Sequence, residues 1–300
     1  MTASLAVPSR LRRLGRPVAM GRYVLPPPAL VAAAAVGAAL LLVVALARWG
    51  TPSDEHAYYL AARRLADGLP LYDPAATAVT PYTYWYPPVL AQVLVPVAAV
   101  LPQPWFSAAW TVLMLGCLWW LGGRNVLVAL ALVAFPPVAV EFWFRNVHLI
   151  LAALLVLSVR RAWLFPVAAA IKLSPGLGIA WLLVARRWRE AGIAIAVGLA
   201  ILAASVALSP GAWRDWVSIA LSRGPGDVAS FLPIPFVVRA VAGLALALVA
   251  ARLPTAWRAP VLVVAVTVAL PTLWFTALSL LVAVVPLLRR PPESAVAVTP

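Results

Sequence analysis

The chain has 300 residues, 64% of them hydrophobic and 11% charged, with a mean hydropathy of +0.98. That balance excludes a pair of soluble domains and describes a polytopic membrane protein of all-α class. The net charge of +14 is almost wholly arginine, and these arginines lie between apolar runs rather than on one soluble face, so nucleic acid is not an expected partner.

Residues 1–28 carry Arg10, Arg12, Arg13, Arg16 and Arg22 with no acidic residue, and read as a cytoplasmic basic leader. No cleavable signal is evident, since the apolar run Ala29 to Ala47 is long enough to stay as an anchor. It runs outward and places the longest polar interval, Ser53 to Pro88, outside. Of the nine acidic residues, Asp54, Glu55, Asp67 and Asp73 fall in this interval, together with His56, one of two histidines. Ser53 reads as an N-cap and Gly68 as a stop. Tyr58, Ala61, Ala62 and Leu65 recur at helical spacing, which predicts a short amphipathic helix in the interface plane. Tyr82, Tyr84, Trp85 and Tyr86 form an aromatic cluster suited to headgroup depth. Pro88 to Pro102 is apolar but short, and is taken as an outer juxtamembrane or re-entrant helix.

The remaining runs alternate. Trp105 to Leu121 goes in, Val126 to Val140 out, Leu149 to Val159 in, and Trp163 to Ile171 out. Leu177 to Ala185 returns in, Ile193 to Leu208 goes out, Ile234 to Ala251 in, Val261 to Leu270 out and Leu273 to Leu288 in. This predicts about ten transmembrane helices over residues 29–288, outer loops at 50–104 and 209–231, and a cytoplasmic tail at 289–300. The double-arginine turns then share the cytoplasmic side with both termini, while every acidic residue except Glu190 and Glu293 lies outside. Several middle passes fall short of the roughly 20 residues of a standard span, as helices lining a cavity can.

Ionisable groups near lipid are functional candidates because they are costly there. Asp54, at the mouth of the first span and within a turn of His56 and Tyr58, is placed to act as a general base toward an attacking hydroxyl; the competing reading is a solvated helix-start residue. Glu55 is expected to point away. Glu141, Arg145, Asn146 and His148 make a second outer cluster, read either as a phosphate site or as an interfacial Arg–Glu pair. Lys172 is the only lysine in the chain and ends an apolar run. Snorkelling is one account of it; a point charge for a lipid-linked phosphate is the other. Trp213 and Trp216 suggest another interfacial helix, with Arg214, Asp215, Arg223 and Asp227 nearby. Cys117 stands alone, so neither a disulfide nor a cysteine-based metal site is expected. Nucleotide-phosphate loops, zinc spacings and serine-nucleophile elbows are absent, and no cofactor or metal is expected.

Several of these motifs resemble glycosyltransferase family 87, membrane enzymes of the GT-C class typified by polyprenol-phosphate-mannose-dependent mannosyltransferases of actinobacteria. The first outer loop is similar in Asp54, Tyr58-Tyr59, Ala61-Ala62, Gly68, Leu71-Tyr72-Asp73 and Tyr86-Pro87-Pro88. Arg145-Asn146-Val147-His148 is similar to the family's Gly-Gln/Asn-x-Asn/His turn, with Arg145 at the position of the glycine. Lys172-Leu173-Ser174-Pro175, then Arg186-Arg187-Trp188, match its Lys-x-x-Pro and basic-turn pattern in order.

The resemblance implies a GT-C-type bundle in the cell membrane, with its active site on the extracytoplasmic side. It implies inverting transfer of a sugar, mannose by analogy, from a polyprenyl-phosphate donor to a lipid or glycan acceptor. Asp54 would be the base, Lys172, Arg145 and His148 the donor-phosphate ligands, and His56, Tyr58, Tyr86 and Asn146 the substrate contacts. Two other classes compete: a transporter or lipid flippase, and a catalytically inactive membrane partner of a glycosyltransferase. The enzyme reading requires Asp54, Lys172 and the Arg145–His148 turn to converge on one cavity.

Overall fold

A computed structural model describes residues 18–20, 23–25, 28–47, 53–72, 83–222, 230 and 232–288. Most of the basic leader, the outer-loop residues Asp73 and Tyr82, the loop residues Arg223 and Asp227, and the tail from Arg289 lie outside the described residues. The described chain is helical apart from a ribbon of two three-residue antiparallel strands, β1 (Val18–Met20) and β2 (Tyr23–Leu25), paired with Ala19 opposite Val24.

Two helices lead to the site. The first, α1 (Pro28–Ala47), has 20 apolar residues, and α2 (Asp54–Ala66) carries the outer acidic cluster. Ser53 occupies the N-cap position of α2 but makes no cap bond; its hydroxyl turns to Glu55 and to the Phe144 carbonyl, 2.9 Å away. Helix α2 stops as expected, with Gly68 at φ +70° and the Leu69 amide donating to Arg64 O at 2.8 Å. The expected face is buried through Tyr58, Ala61 and Ala62, and Glu55 joins it rather than lying elsewhere around the helix. Arg63 and Asp67 pair at 3.2 Å on the outward face.

Beyond the aromatic segment come α3 (Pro88–Val100), which packs along α2, and α4 (Gln103–Leu121). The stretch expected as one pass from Val126 to Val140 is two helices, α5 (Val126–Val133) and α6 (Pro136–Phe144), meeting at 80°. Two adjacent prolines explain the break: Pro136 and Pro137 open a new first turn, where a missing N–H is harmless, but would interrupt a continuous ladder. Helix α7 (His148–Arg160) follows after a short turn, then α8 (Leu164–Ile171), a 3₁₀ turn at Ser174–Gly176, and α9 (Leu177–Val184).

Helix α10 (Trp188–Leu208) buries only Ala191, Ala194 and Ser205 although nearly all of it is apolar. A water-facing helix would place polar residues on that open surface, so this one is built to face lipid. Helix α11 (Pro210–Ser222) holds the tryptophan pair, whose rings meet edge-on 5.5 Å apart. Helices α12 (Phe236–Ala250) and α13 (Thr255–Val268) pack closely, and a 3₁₀ helix (Phe275–Ala283) running into α14 (Val284–Leu288) lies against α6 and α7. Arg239 is buried and donates to the carbonyls of Leu270 (2.5 Å) and Pro271 (3.0 Å), capping the chain where α13 ends.

Among the described residues, α4 and α10 are long and apolar enough to cross a membrane, and the bent pair α5–α6 would make a third span. Six further apolar helical stretches among the described residues have 10–17 residues, so the ten-pass expectation is not reproduced by length and composition.

Candidate active site

Four segments converge: the start of α2, the Tyr84–Pro87 strap, the turn between α6 and α7, and the end of α8. The turn is made by Arg145, which adopts the left-handed conformation (φ 49°, ψ 43°) that ends α6. Glycine adopts that conformation without a Cβ clash. Arg145 is held there by other contacts. Its carbonyl accepts from Trp110 Nε1 at 2.9 Å, and its Nε lies 3.0 Å from Glu55 Oε1 with both side chains buried. Ser107 donates to the same Glu55 oxygen at 2.6 Å. The Nε of Arg145, one of the residues expected to take the donor phosphate, thus faces Glu55. The structure corrects the expected Arg145–Glu141 pair, because Glu141 pairs elsewhere.

The turn presents Asn146. Its Oδ1 accepts from the Val147 amide at 2.7 Å and from Tyr58 Oη at 3.1 Å, and Tyr86 Oη stands 3.3 Å away. With Oδ1 so used, Nδ2 must face outward, and it donates to Asp54 Oδ2 at 2.6 Å. Tyr58 and Tyr86 also share a hydrogen bond at 2.9 Å, with rings edge to face. Tyr86 is fixed from behind by Tyr72, whose hydroxyl donates to the Tyr86 carbonyl at 2.6 Å. Among the described residues, Asp54 is thus held by the Asn146 amide. Burial pushes its carboxyl up to about 6; the Asn146 hydrogen bond opposes this, and the negative charge of Glu141 adds to it.

His148 is the first residue of α7 and is fully buried. Its Nδ1 lies 2.9 Å from Glu141 Oε2, and its backbone amide donates to Glu141 Oε1 at 2.6 Å. Nε2 lies 2.7 Å from Lys172 Nζ, and that ammonium sits 5.2 Å from the centre of the Tyr86 ring. Base and cation are therefore linked through Asn146 and Tyr86, close enough that Lys172 favours ionised Asp54. Two mainly apolar recesses, of about 270 and 230 Å³, meet at Leu173 beside this lysine. Ser174, Leu177 and Phe236 border one; Pro166, Ile201 and Trp213 border the other.

Asp54, Tyr58, Tyr86, Asn146, His148 and Lys172 are brought together. The His56 ring stacks on Tyr59, with 6.2 Å between centroids. Glu141 and Glu55 are the site residues whose partners spacing did not indicate. Glu141 had one signal, a carboxylate seven residues before a histidine across a tight turn.

The sequence model of glycosyltransferase family 87 matches residues 84–288. The chain belongs to glycosyltransferase family 87. No curated protein and no solved structure matches it. Membership makes this a membrane glycosyltransferase, acting on a sugar donor and an acceptor. The matched stretch contains Asn146, His148 and Lys172, while Asp54 lies ahead of it, joined through the Asn146 hydrogen bond.

Proposed function

We propose that this family 87 glycosyltransferase moves a sugar, mannose by the family resemblance, from a polyprenyl-phosphate donor to a lipid or glycan acceptor on the outer membrane face, with inversion at the anomeric carbon. The observation that carries the reading is the chain of contacts that links a carboxylate to an ammonium, from Asp54 through Asn146 and Tyr86 to Lys172, beside apolar recesses at Leu173. Asp54 accepts the proton of the acceptor hydroxyl as its oxygen attacks the anomeric carbon. The bond from that carbon to the phosphate oxygen breaks, and polyprenyl phosphate leaves as an anion. Such a leaving group needs no proton but does need positive charge, which Lys172 supplies. His148 stands directly behind the ammonium. Asn146 orients the base, while Tyr58 and Tyr86 wall the sugar position. The recesses that meet at Leu173 suit an isoprenoid chain whose phosphate lies near Lys172.

Orientation follows the arginine distribution: both termini inside, multi-pass, with the Asp54 surface outside. A transporter would concentrate charge or broken helices at the midplane with internal symmetry. The pairing of a base with a phosphate-class cation favours transfer chemistry instead.

The test is a reconstituted assay. Purified protein in vesicles with polyprenyl-phosphate mannose and a membrane-lipid acceptor extract should yield a mannosylated lipid whose anomeric configuration is opposite to the donor's. Retained configuration would contradict direct displacement, and absence of product with this donor would contradict the donor assignment.

A further inference from the structure

Glu141 takes part in none of the steps above, yet it is fully buried and both of its oxygens are engaged by the same residue. With Lys172 as an ammonium, the donors and acceptors of His148 and Glu141 fit together in one arrangement. An ammonium can only donate, so across the 2.7 Å contact with Lys172 Nζ the His148 Nε2 atom must accept. A neutral imidazole with Nε2 as acceptor carries its proton on Nδ1, and that proton points to Glu141 Oε2 at 2.9 Å. The second carboxylate oxygen takes the His148 backbone amide at the N-terminus of α7, a position that favours an anion.

We infer that Glu141 is a positioning residue: it locks His148 in the Nδ1–H tautomer, so that Nε2 holds the Lys172 ammonium beside Tyr86 where the donor phosphate lies. The link to phosphate rests on the proposed function; the tautomer does not. Orienting partners behind a working imidazole act in this way in metal sites and in nucleophile triads.

Replacing Glu141 by glutamine makes the device distinguishable from simple charge balance. The His148 amide still needs an acceptor and takes the glutamine Oε1. The glutamine NH₂ then faces Nδ1, which must accept, so the ring proton moves to Nε2. There it confronts the lysine ammonium, donor against donor, and Lys172 is displaced. Glu141→Asp keeps an acceptor-only group.

The experiment is ¹⁵N NMR on full-length protein labelled at histidine, where only two imidazoles exist and His56→Asn assigns them. It is paired with binding of polyprenyl phosphate, the leaving group, so that no turnover is needed. Expected are an Nδ1-protonated His148 in the wild type and an Nε2-protonated one in E141Q. Affinity for polyprenyl phosphate should fall about 10- to 100-fold in E141Q, the scale of losing an orienting partner, and recover in part in E141D. An Nε2-protonated His148 in the wild type overturns the inference without any variant. An unchanged tautomer in E141Q also overturns it, as does a switched tautomer with unchanged affinity. If the tautomers behave as stated but the wild-type protein does not bind polyprenyl phosphate at all, the donor assignment fails and the Glu141–His148 lock stands.

Discussion

Among individual residues, Asp54 has the most distinctive environment. Burial raises its carboxyl to about 6, so a reaction needing the carboxylate should lose rate as pH falls through about 6. The linkage sign is opposite for stability: the folded state binds this proton more tightly than the unfolded chain does, so ionising Asp54 above pH 6 costs stability. Asp54→Asn should therefore abolish transfer while raising the thermal midpoint at pH 7.5, with little change at pH 4. Asn146→Asp tests the same site by placing a second carboxyl where a donor stood 2.6 Å away. Two carboxyls at that distance share a proton, so the acid limb of the pH–rate profile should move upward by at least about one unit. An unmoved limb would mean that Asp54 is not the titrating base. Much at this scale was legible in the sequence, because charge is rare in so apolar a chain: Asp54, His148 and Lys172 stood out for that reason. The carboxylate partner of Arg145 was not legible. Choosing between Glu55 and Glu141 depends on which helix packs where.

Among the elements, the turn between α6 and α7 is the critical one, and Arg145 serves it in two opposed ways. Its left-handed backbone costs about 1–2 kcal/mol for a residue with a Cβ, and its side chain neutralises the buried Glu55. Arg145→Gly should relieve the first and lose the second, with a net destabilisation of about 1–4 kcal/mol, because stranding one member of a buried pair costs about 3–5 kcal/mol. Adding Glu55→Gln should restore most of the loss, measured as the thermal midpoint in detergent. A double variant no better than the single one would show that the pair is not the brace. The α12–α13 contact makes a second case. A Cβ built on Gly243 would lie 2.6 Å from Ala269 Cβ and 2.7 Å from the Ala265 carbonyl oxygen. Gly243→Ala should then destabilise by about 1–3 kcal/mol through overpacking. Apolar runs located nearly every helix. The 80° bend at Pro136-Pro137 was missed because an apolar run reads alike whether it crosses the membrane or turns within the protein.

Across the whole molecule, composition established the membrane class, and the open apolar surface of α10 agrees with it. The number of crossings was less legible, since helices of 10–17 residues can line a cavity, tilt or re-enter, and hydropathy does not distinguish these. Orientation is testable in a Cys117→Ser background. A cysteine replacing exposed Asp67 should react with a membrane-impermeant maleimide on intact cells, and one replacing exposed Arg189 only after permeabilisation. The reverse pattern would place the site on the cytoplasmic face and invert the proposed topology.

The most direct measurement is sugar transfer from radiolabelled polyprenyl-phosphate mannose into lipid acceptors by reconstituted wild-type and Asp54→Asn protein, with binding of polyprenyl phosphate followed in parallel. The proposed chemistry predicts loss of transfer by about 100-fold or more, the contribution expected of a positioned base, with the affinity of the Lys172 site for polyprenyl phosphate retained. Transfer by Asp54→Asn at the wild-type rate would contradict Asp54 as the base and, with it, the mechanism that pairs Asp54 with Lys172.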